Sequence, residues 1–390
     1  MNAVQYIMNM SLMNEFAGRS VLLTGHTGFK GSWLAIWLHH LGAKVSGYSL
    51  PPPTKPSNFK ASRVRRLLTS HYEADIRNLR NLAEAVDQVN PDVIIHLAAQ
   101  PLVRESYISP RETFETNFMG TCNLLECIRL RAKPCVAVVI TSDKCYENRE
   151  QFWGYRENDP MGGHDPYSAS KGTAELLVAS YRQSFFPPDH CARHGVKLAT
   201  VRTGNVIGGG DWARDRIIPD IVRSLVNHRP IPVRNPNAVR PWQHVIEPLS
   251  GYIMLAARMM VSDDPWLCSS WNFGPRIDNG AACVSDLIEA FCTAWGYGSW
   301  EDKSDPDQFH ESNVLRLSIE KAVTLLDWRP VWSLRETIDR TVEWYGNYYN
   351  GHKNNMHDTC LNDINLHQEL RQGASRSEPR QSHKRDSIAA

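Results

Sequence analysis

Tyr167 and Lys171 stand four residues apart in the segment Tyr167-Ser168-Ala169-Ser170-Lys171. On a helix that spacing puts both side chains on one face. There an ammonium can favour the phenolate of a tyrosine whose ordinary pKa, about 10, makes it a poor base. So paired, Tyr167 can take a hydroxyl proton. A second segment, Thr141-Ser142-Asp143-Lys144, follows the apolar run 136–140. A serine at a strand end can polarise the same substrate oxygen. Asp143 and Lys144 are then titratable groups that a plain alcohol oxidation does not need, and they imply a second proton transfer. Each segment alone also has a plain alternative: an exposed helix pair for the first, a solvated turn with a local ion pair for the second.

What gives these segments a partner is Thr24-Gly25-His26-Thr27-Gly28-Phe29-Lys30-Gly31. It follows Val21-Leu22-Leu23 and opens the periodic run Trp33, Leu34, Ile36, Trp37, Leu38, Leu41, which places it at a strand-to-helix turn. Gly25 permits the tight turn, Gly28 the approach of a diphosphate to backbone amides, and Gly31 the close packing of helix on strand. The amides and the helix dipole favour an anion. The spacing is Gly-x-x-Gly-x-x-Gly rather than the commoner fingerprint with Gly-x-Gly.

Elements to position these groups are legible along the chain. Strands are expected at 20–23, 44–48, 71–73, 93–97, 136–140 and 197–202, and helices at 30–41, 78–89, 111–131 and 167–186. Such alternation predicts an α/β, Rossmann-type doubly wound parallel sheet over residues 15–204, with ligands at the carboxyl ends of the strands. Beyond Gly204, with helices near 217–226 and 284–295, residues 205–350 read as a mainly substrate-binding smaller lobe, the chain returning to the main sheet within 244–275. Residues 352–390 are polar and without apolar periodicity, and read as a disordered tail.

The 390 residues are 42% hydrophobic with a net charge of +1, which argues against a nucleic-acid surface and allows a large core. No apolar run approaches the roughly 20 residues of a membrane helix, and Met1 to Phe16 lacks the features of a signal peptide. Nine scattered cysteines without a Cys-x-x-Cys pair fit free thiols in a reducing compartment. The expected location is the cytoplasm. His190, Cys191 and His194 have a metal-like spacing, but Pro187, Pro188 and Gly195 frame them as a loop between helix and strand, and no metal is expected.

The glycine turn, His96-Leu97-Ala98-Ala99-Gln100, Tyr167-x-x-x-Lys171 and Leu326-Asp327-Trp328-Arg329-Pro330 together resemble the extended short-chain dehydrogenase/reductases, over about residues 20–345. Within them Ser142-Asp143-Lys144, Gly208-Gly209-Gly210-Asp211-Trp212 and Arg240-Pro241-Trp242-Gln243-His244-Val245 are similar to the sugar-nucleotide 4,6-dehydratases that act on CDP-glucose. That resemblance implies NAD held by Gly25, Thr27, Gly28, Phe29, Lys30, Gly31, Asp75, Ile76, Ala98, Ala99, Gln100, Thr141, Tyr167 and Lys171. It also implies CDP-glucose as the small-molecule substrate, held by Asn205, Arg216, Arg234 and Arg240, in deoxysugar biosynthesis of the O-antigen type.

The implied catalytic set is Ser142, Asp143, Lys144, Tyr167 and Lys171. Relatives acting on dTDP-sugars carry Thr-Asp-Glu where this chain has Ser142-Asp143-Lys144. Lys144 is then either a proton-abstracting base, if its pKa is lowered, or a cation that stabilises an enolate. Asp75 either contacts adenine or caps the helix starting near Asn78. Ser49-Leu50-Pro51 lacks the acidic residue that commonly holds an adenosine ribose, so NAD rather than NADP rests on the resemblance. The helices 111–131 and 167–186 are apolar on more than one face, through Phe114, Phe118, Leu124 and Leu125 and through Leu176, Leu177, Tyr181 and Phe185. The resemblance makes them the interface of a homodimer, open to further association as a tetramer; burial in one core is the other reading. The competing functions are an epimerase or a dehydratase of another nucleotide sugar and, from another class, a non-catalytic nucleotide-sensing scaffold.

Overall fold

Six short strands and one later return build the central sheet. In the computed structural model, which describes residues 13–276, 281–304, 315–352 and 355–377, the strands are β1 (Ser20–Thr24), β2 (Lys44–Ser49), β3 (Ser70–Glu73), β4 (Val93–His96), β5 (Cys135–Ile140), β6 (Val196–Thr203) and β7 (Ser270–Phe273). Their order in this seven-stranded sheet is β7-β6-β5-β4-β1-β2-β3, and every pairing is parallel. Strands buried on both faces need continuous apolar runs; Cys135 to Ile140 is buried throughout. The chain order reverses between β1 and β4, which opens a crevice at their carboxyl ends.

The longer helices are α1 (Phe29–His40), α2 (Leu79–Val89), α3 (Gly120–Arg131), α4 (Pro166–Ser184), α5 (Ile217–Val226), α6 (Ile246–Val261), α7 (Val284–Trp295), α8 (Leu334–Asn347) and α9 (His357–Ser377). α6 is buried almost end to end, from Ile246 to Ala257, because it packs on β5, β6 and β7 with α1 alongside. Three two-stranded pairs lie outside the sheet: 206–207 with 243–244, 239–241 with 281–283, and 231–233 with 300–302.

Two expectations are corrected. The helix expected over 111–131 is interrupted: Pro110–Phe114 passes into a π-helical turn, Glu115–Met119, before α3 begins. The polar tail is not disordered along its whole length. α9 lays Met356, Cys360, Ile364 and His367, all fully buried, against α1 and α8. A stripe that narrow leaves most of the helix polar, and only docking holds it. Residues 378–390 of that tail, and residues 1–12 of the opening segment read as carrying no signal peptide, lie outside the described residues.

The apolar faces of 111–131 and α4 divide. Leu124 and Leu125 are fully buried in the core beneath the sheet, whereas Leu176 and Phe185 on α4 are exposed, as is Met119 on the π turn. Between α4 and β6 the chain makes two single helical turns, Pro188–His190 and Cys191–His194. The His194 ring is engaged by backbone at both nitrogens, with Nε2 3.1 Å from the Pro187 carbonyl and Nδ1 accepting from Val196 N.

Candidate active site

Four of the chemistry-bearing segments end up at the carboxyl edge of the sheet, because each directly follows a strand: 25–31 after β1, 97–100 after β4, 141–144 after β5 and 204–205 after β6. The glycine turn is built by close contact. A Cβ on Gly31 would sit 2.2 Å from the Gly25 carbonyl oxygen, and one on Gly25, at φ +73°, would sit 2.7 Å from Ala98 N. Gly28 is the N-cap of α1 and supplies no side-chain cap, so the first-turn amides face the crevice as an anion site. Thr27 Oγ1 lies 2.8 Å from Ser49 Oγ and donates to the Leu50 carbonyl, tying the turn to the end of β2. Residues of this shape fit a dinucleotide diphosphate.

Around the turn, His96 links Thr24 and Thr121 through its two ring nitrogens, at 2.7 and 3.1 Å. Burial holds that imidazole neutral, at about 3. Ala98 N donates to Thr24 Oγ1 and Gln100 N to Asn117 Oδ1. Asp75 does not cap α2. Asn78 does, accepting from Asn81 N, while the Asp75 carboxylate is clasped by the backbone and guanidinium of Arg77, whose hydrogen bonds hold it below the usual carboxylate range. Ile76 beside it is buried against Gly120.

Ser142, Asp143, Tyr167 and Lys171 converge and are all nearly buried. Ser142 Oγ donates to Asp143 Oδ1 at 3.0 Å and stands close enough to the Tyr167 phenol to draw its pKa down. Asp143 faces inward: a Cβ on Gly204 would come within 2.9 Å of its Oδ2. Burial pushes the phenol up to about 12, and Ser142 and Arg216 only partly oppose it. The phenolate-favouring effect expected of Lys171 is not among the influences that set this phenol. Its own ammonium is drawn down to about 8 by burial, against the pull of Glu175, and donates to the Ile140 carbonyl at 3.4 Å.

The other expected residues are placed as follows. Lys144 follows Asp143 in a single 3₁₀ turn and is half-buried. Arg216, at the N-cap of α5, is ion-paired with Asp211 at 2.9 Å and acts electrostatically on both Tyr167 and Lys30. Arg234 pairs with Asp215 at 2.8 Å. Arg240 lies on the strand 239–241, next to Pro241, which borders the Gly204–Asp143 contact. The Asn205 carbonyl accepts from Gln243 N.

Three features escaped sequence reasoning. Lys30 belongs to the cofactor turn by sequence, yet burial and the charges of Arg216 and Lys171 lower its amine to about 7, against the pull of Asp143. Asn117, on the π turn, ties Gln100 to Ser170, donating to the Gln100 carbonyl and to Ser170 Oγ; π turns often accompany function, and nothing in the surrounding sequence marks this Asn. Glu175, four residues beyond Lys171, pairs with Arg202 at 2.9 Å with almost no exposure of either side chain. The continued i, i+4 spacing was the hint.

A model of the family described as GDP-mannose 4,6 dehydratase matches residues 22–341. The chain belongs to the GDP-mannose 4,6-dehydratase family. Among its relatives, a CDP-glucose 4,6-dehydratase of Salmonella typhimurium is 50% identical over 341 residues, covering 87% of this chain and 93% of that protein. The family's fold recurs in a dTDP-glucose 4,6-dehydratase of Streptomyces venezuelae solved with NAD and TYD bound, with a TM-score of 0.71, 22% identity and coverage of 85% of this chain and 98% of that one. It recurs also in an epimerase of Methanothermobacter thermautotrophicus, with a TM-score of 0.72, 21% identity and coverage of 89% and 98%. One scaffold thus hosts both reactions, and the site must decide between them.

Proposed function

We propose that this chain converts CDP-D-glucose to CDP-4-keto-6-deoxy-D-glucose and water, as a CDP-glucose 4,6-dehydratase. The observation that carries this reading is the buried carboxyl of Asp143, hydrogen-bonded to the Ser142 hydroxyl and facing Gly204 at the carboxyl edge of the sheet. A transient oxidation at C4 needs only the hydroxyl and phenol. The carboxyl is the group that can lose a proton to the C6 hydroxyl. The 50% identity to the Salmonella protein supports the choice of nucleotide.

Bound against the glycine turn, NAD supplies a hydride acceptor for C4 and the hydride returned to C6. The α1 amides and Thr27 side hold its diphosphate end. Tyr167 takes the C4 hydroxyl proton, Ser142 keeps that oxygen in line, and Lys171 sets the local charge. Asp143 then protonates the departing C6 hydroxyl. Arg216, with Arg234 and Arg240, offers guanidinium groups for the substrate diphosphate, and Asn205 stands beside them. The exposed Leu176 and Phe185 on α4 support a homodimer through that face, and the nine free cysteines support a reducing, cytoplasmic setting. No helix among the described residues is long and apolar enough to cross a membrane.

Incubation with CDP-, dTDP-, GDP- and UDP-glucose, followed by mass spectrometry, tests the reading: CDP-glucose alone should lose one water. Asp143→Asn should still reduce bound NAD on mixing with CDP-glucose, yet release water about 100-fold more slowly or worse. Full dehydration by that variant, or epimerised sugar as the product of the wild type, sinks the proposal.

A further inference from the structure

The segment after β4 continues past the cofactor residues into a rigid corner. The Gln100 side chain accepts from Leu102 N at 2.6 Å and donates to the Leu102 carbonyl at 3.0 Å. The chain then forms one short helix, Val103–Ile108, which packs on α4, the helix that carries Tyr167 and Lys171. Arg104 stands in its first turn, beside the crevice that opens at the end of β4. Its Nη1 lies 3.8 Å from Asp215 Oδ1, the same oxygen that accepts from Arg234 Nη1 at 2.8 Å. One carboxylate oxygen thus joins two guanidinium groups from distant parts of the chain, Arg104 after β4 and Arg234 after the short strand 231–233.

Asp215 is held at a φ of 60°, a left-handed conformation that aspartate tolerates better than most residues. The next residue, Arg216, is ion-paired with Asp211 at 2.9 Å. The stretch 211–216 therefore sets two carboxylates among three guanidiniums, Arg104, Arg216 and Arg234. Positive charge is left over. Each of the three arginine side chains is about one-third exposed, at 32%, 33% and 32%, so this charge is open to a ligand. Ion pairs exposed to this degree contribute little to stability. Guanidiniums already placed before a ligand arrives lower the ordering cost of binding it, and their fork geometry suits phosphate oxygens. At 3.8 Å the Arg104 contact is beyond hydrogen-bond range; Asp215 draws this guanidinium toward Arg234 by charge without hydrogen-bonding it.

Resting on the sugar-nucleotide reading above, we infer that Arg104 is a further substrate-binding residue, which together with Arg234 takes oxygens of the sugar nucleotide's diphosphate while Asp215 keeps the two guanidiniums side by side. The cofactor carries a diphosphate of the same chemistry, but the first-turn amides of α1 already form its seat. A substrate held by Arg104 and Arg234 ties the segment after β4 to the chain beyond residue 231, which positions the hexose over α4.

The experiment compares dissociation constants of the NAD-loaded protein for CDP, by calorimetry, and for cytidine, by ligand-observed NMR. In Arg104→Met, CDP binding weakens about 10-fold or more, while cytidine binding and bound NAD are unchanged. Arg104→Lys recovers part of the loss, because it keeps the charge without the fork. In turnover, KM for CDP-glucose rises with the CDP constant and kcat holds. Unchanged CDP binding in Arg104→Met overturns the inference, as does equal weakening of CDP and cytidine. Loss of NAD with CDP binding intact overturns it too, and assigns Arg104 to the cofactor's diphosphate. Wild-type protein that binds CDP through Arg104 yet does not dehydrate CDP-glucose overturns the dehydratase reading and leaves this assignment standing; wild-type protein that does not bind CDP overturns both.

Discussion

Glu175→Gln should weaken the fold and shift the pH dependence of catalysis together. Glu175 Oε2 accepts from Arg202 Nη2 at 2.9 Å and from Thr200 Oγ1 at 2.8 Å, and Oε1 accepts from Thr141 Oγ1 at 2.5 Å. With side-chain exposures of 4% for Arg202 and 2% for Glu175, the amide variant leaves a guanidinium buried without its counter-charge. Breaking one side of such a pair costs about 3–5 kcal/mol. Arg202 Nη1 keeps Tyr146 and the Glu157 carbonyl as partners, which places the expected loss near the lower end, about 3 kcal/mol. Arg202→Met added to Glu175→Gln removes the orphaned charge, so the double variant should be more stable than the sum of the single losses by about 2 kcal/mol. Urea unfolding of the four proteins measures this. Glu175 also raises Lys171, which burial has lowered to about 8. Without the carboxylate the ammonium is lost at lower pH, so the alkaline limb of kcat/KM should move toward acid. Additive single and double losses, or a single variant costing under about 1 kcal/mol, would refute the reasoning, as would an unmoved alkaline limb.

Three further outcomes are expected. Gly31→Ala forces a Cβ to within 2.2 Å of the Gly25 carbonyl, at a cost of about 1–3 kcal/mol, and should strip NAD from the purified protein; nucleotide content after gel filtration reads this, and full retention would contradict it. Asp363, buried on α9 with Arg340 3.8 Å away, is raised by burial from 3.8 to about 7. The folded state therefore holds a proton that the unfolded chain has lost, and stability from this group declines as pH climbs from 3.8 to about 7, then levels. Melting temperatures of Asp363→Asn should exceed those of the wild type by a margin that widens across that window; a constant margin speaks against it. His367→Leu removes the Nε2 partner 3.1 Å from Glu247 Oε2. The other Glu247 oxygen keeps the Val331 and Trp332 amides, so the expected loss is about 3 kcal/mol, read by thermal unfolding, and an unchanged midpoint would mean that α9 docks by apolar contact alone.

What the chain alone determined is local. Runs such as 136–140 have no other use than a strand buried on both faces, and the helices 217–226 and 284–295 are bounded by their own apolar spacing, so these elements emerge where periodicity puts them. The glycine turn is legible because Gly25 and Gly31 answer to steric demands that no other residue meets. Ser142, Asp143, Tyr167 and Lys171 could be nominated by type and spacing, since each directly follows a strand or shares a helix face. What needed three dimensions is whatever depends on distant segments meeting. α9 looks polar because its buried stripe of Met356, Cys360, Ile364 and His367 is narrow, and its partners lie on α1 and α8. The Glu175–Arg202 pair joins a helix to a strand: the i, i+4 step from Lys171 points to Glu175, but nothing in the chain names Arg202 as its partner. Lys30 comes under the charges of Asp143, Lys171 and Arg216 only when these distant segments fold to one end of the sheet. Desolvation belongs to the assembled cleft rather than to any residue, and so the protonation of Tyr167, Lys171 and Lys30 was settled by tertiary packing.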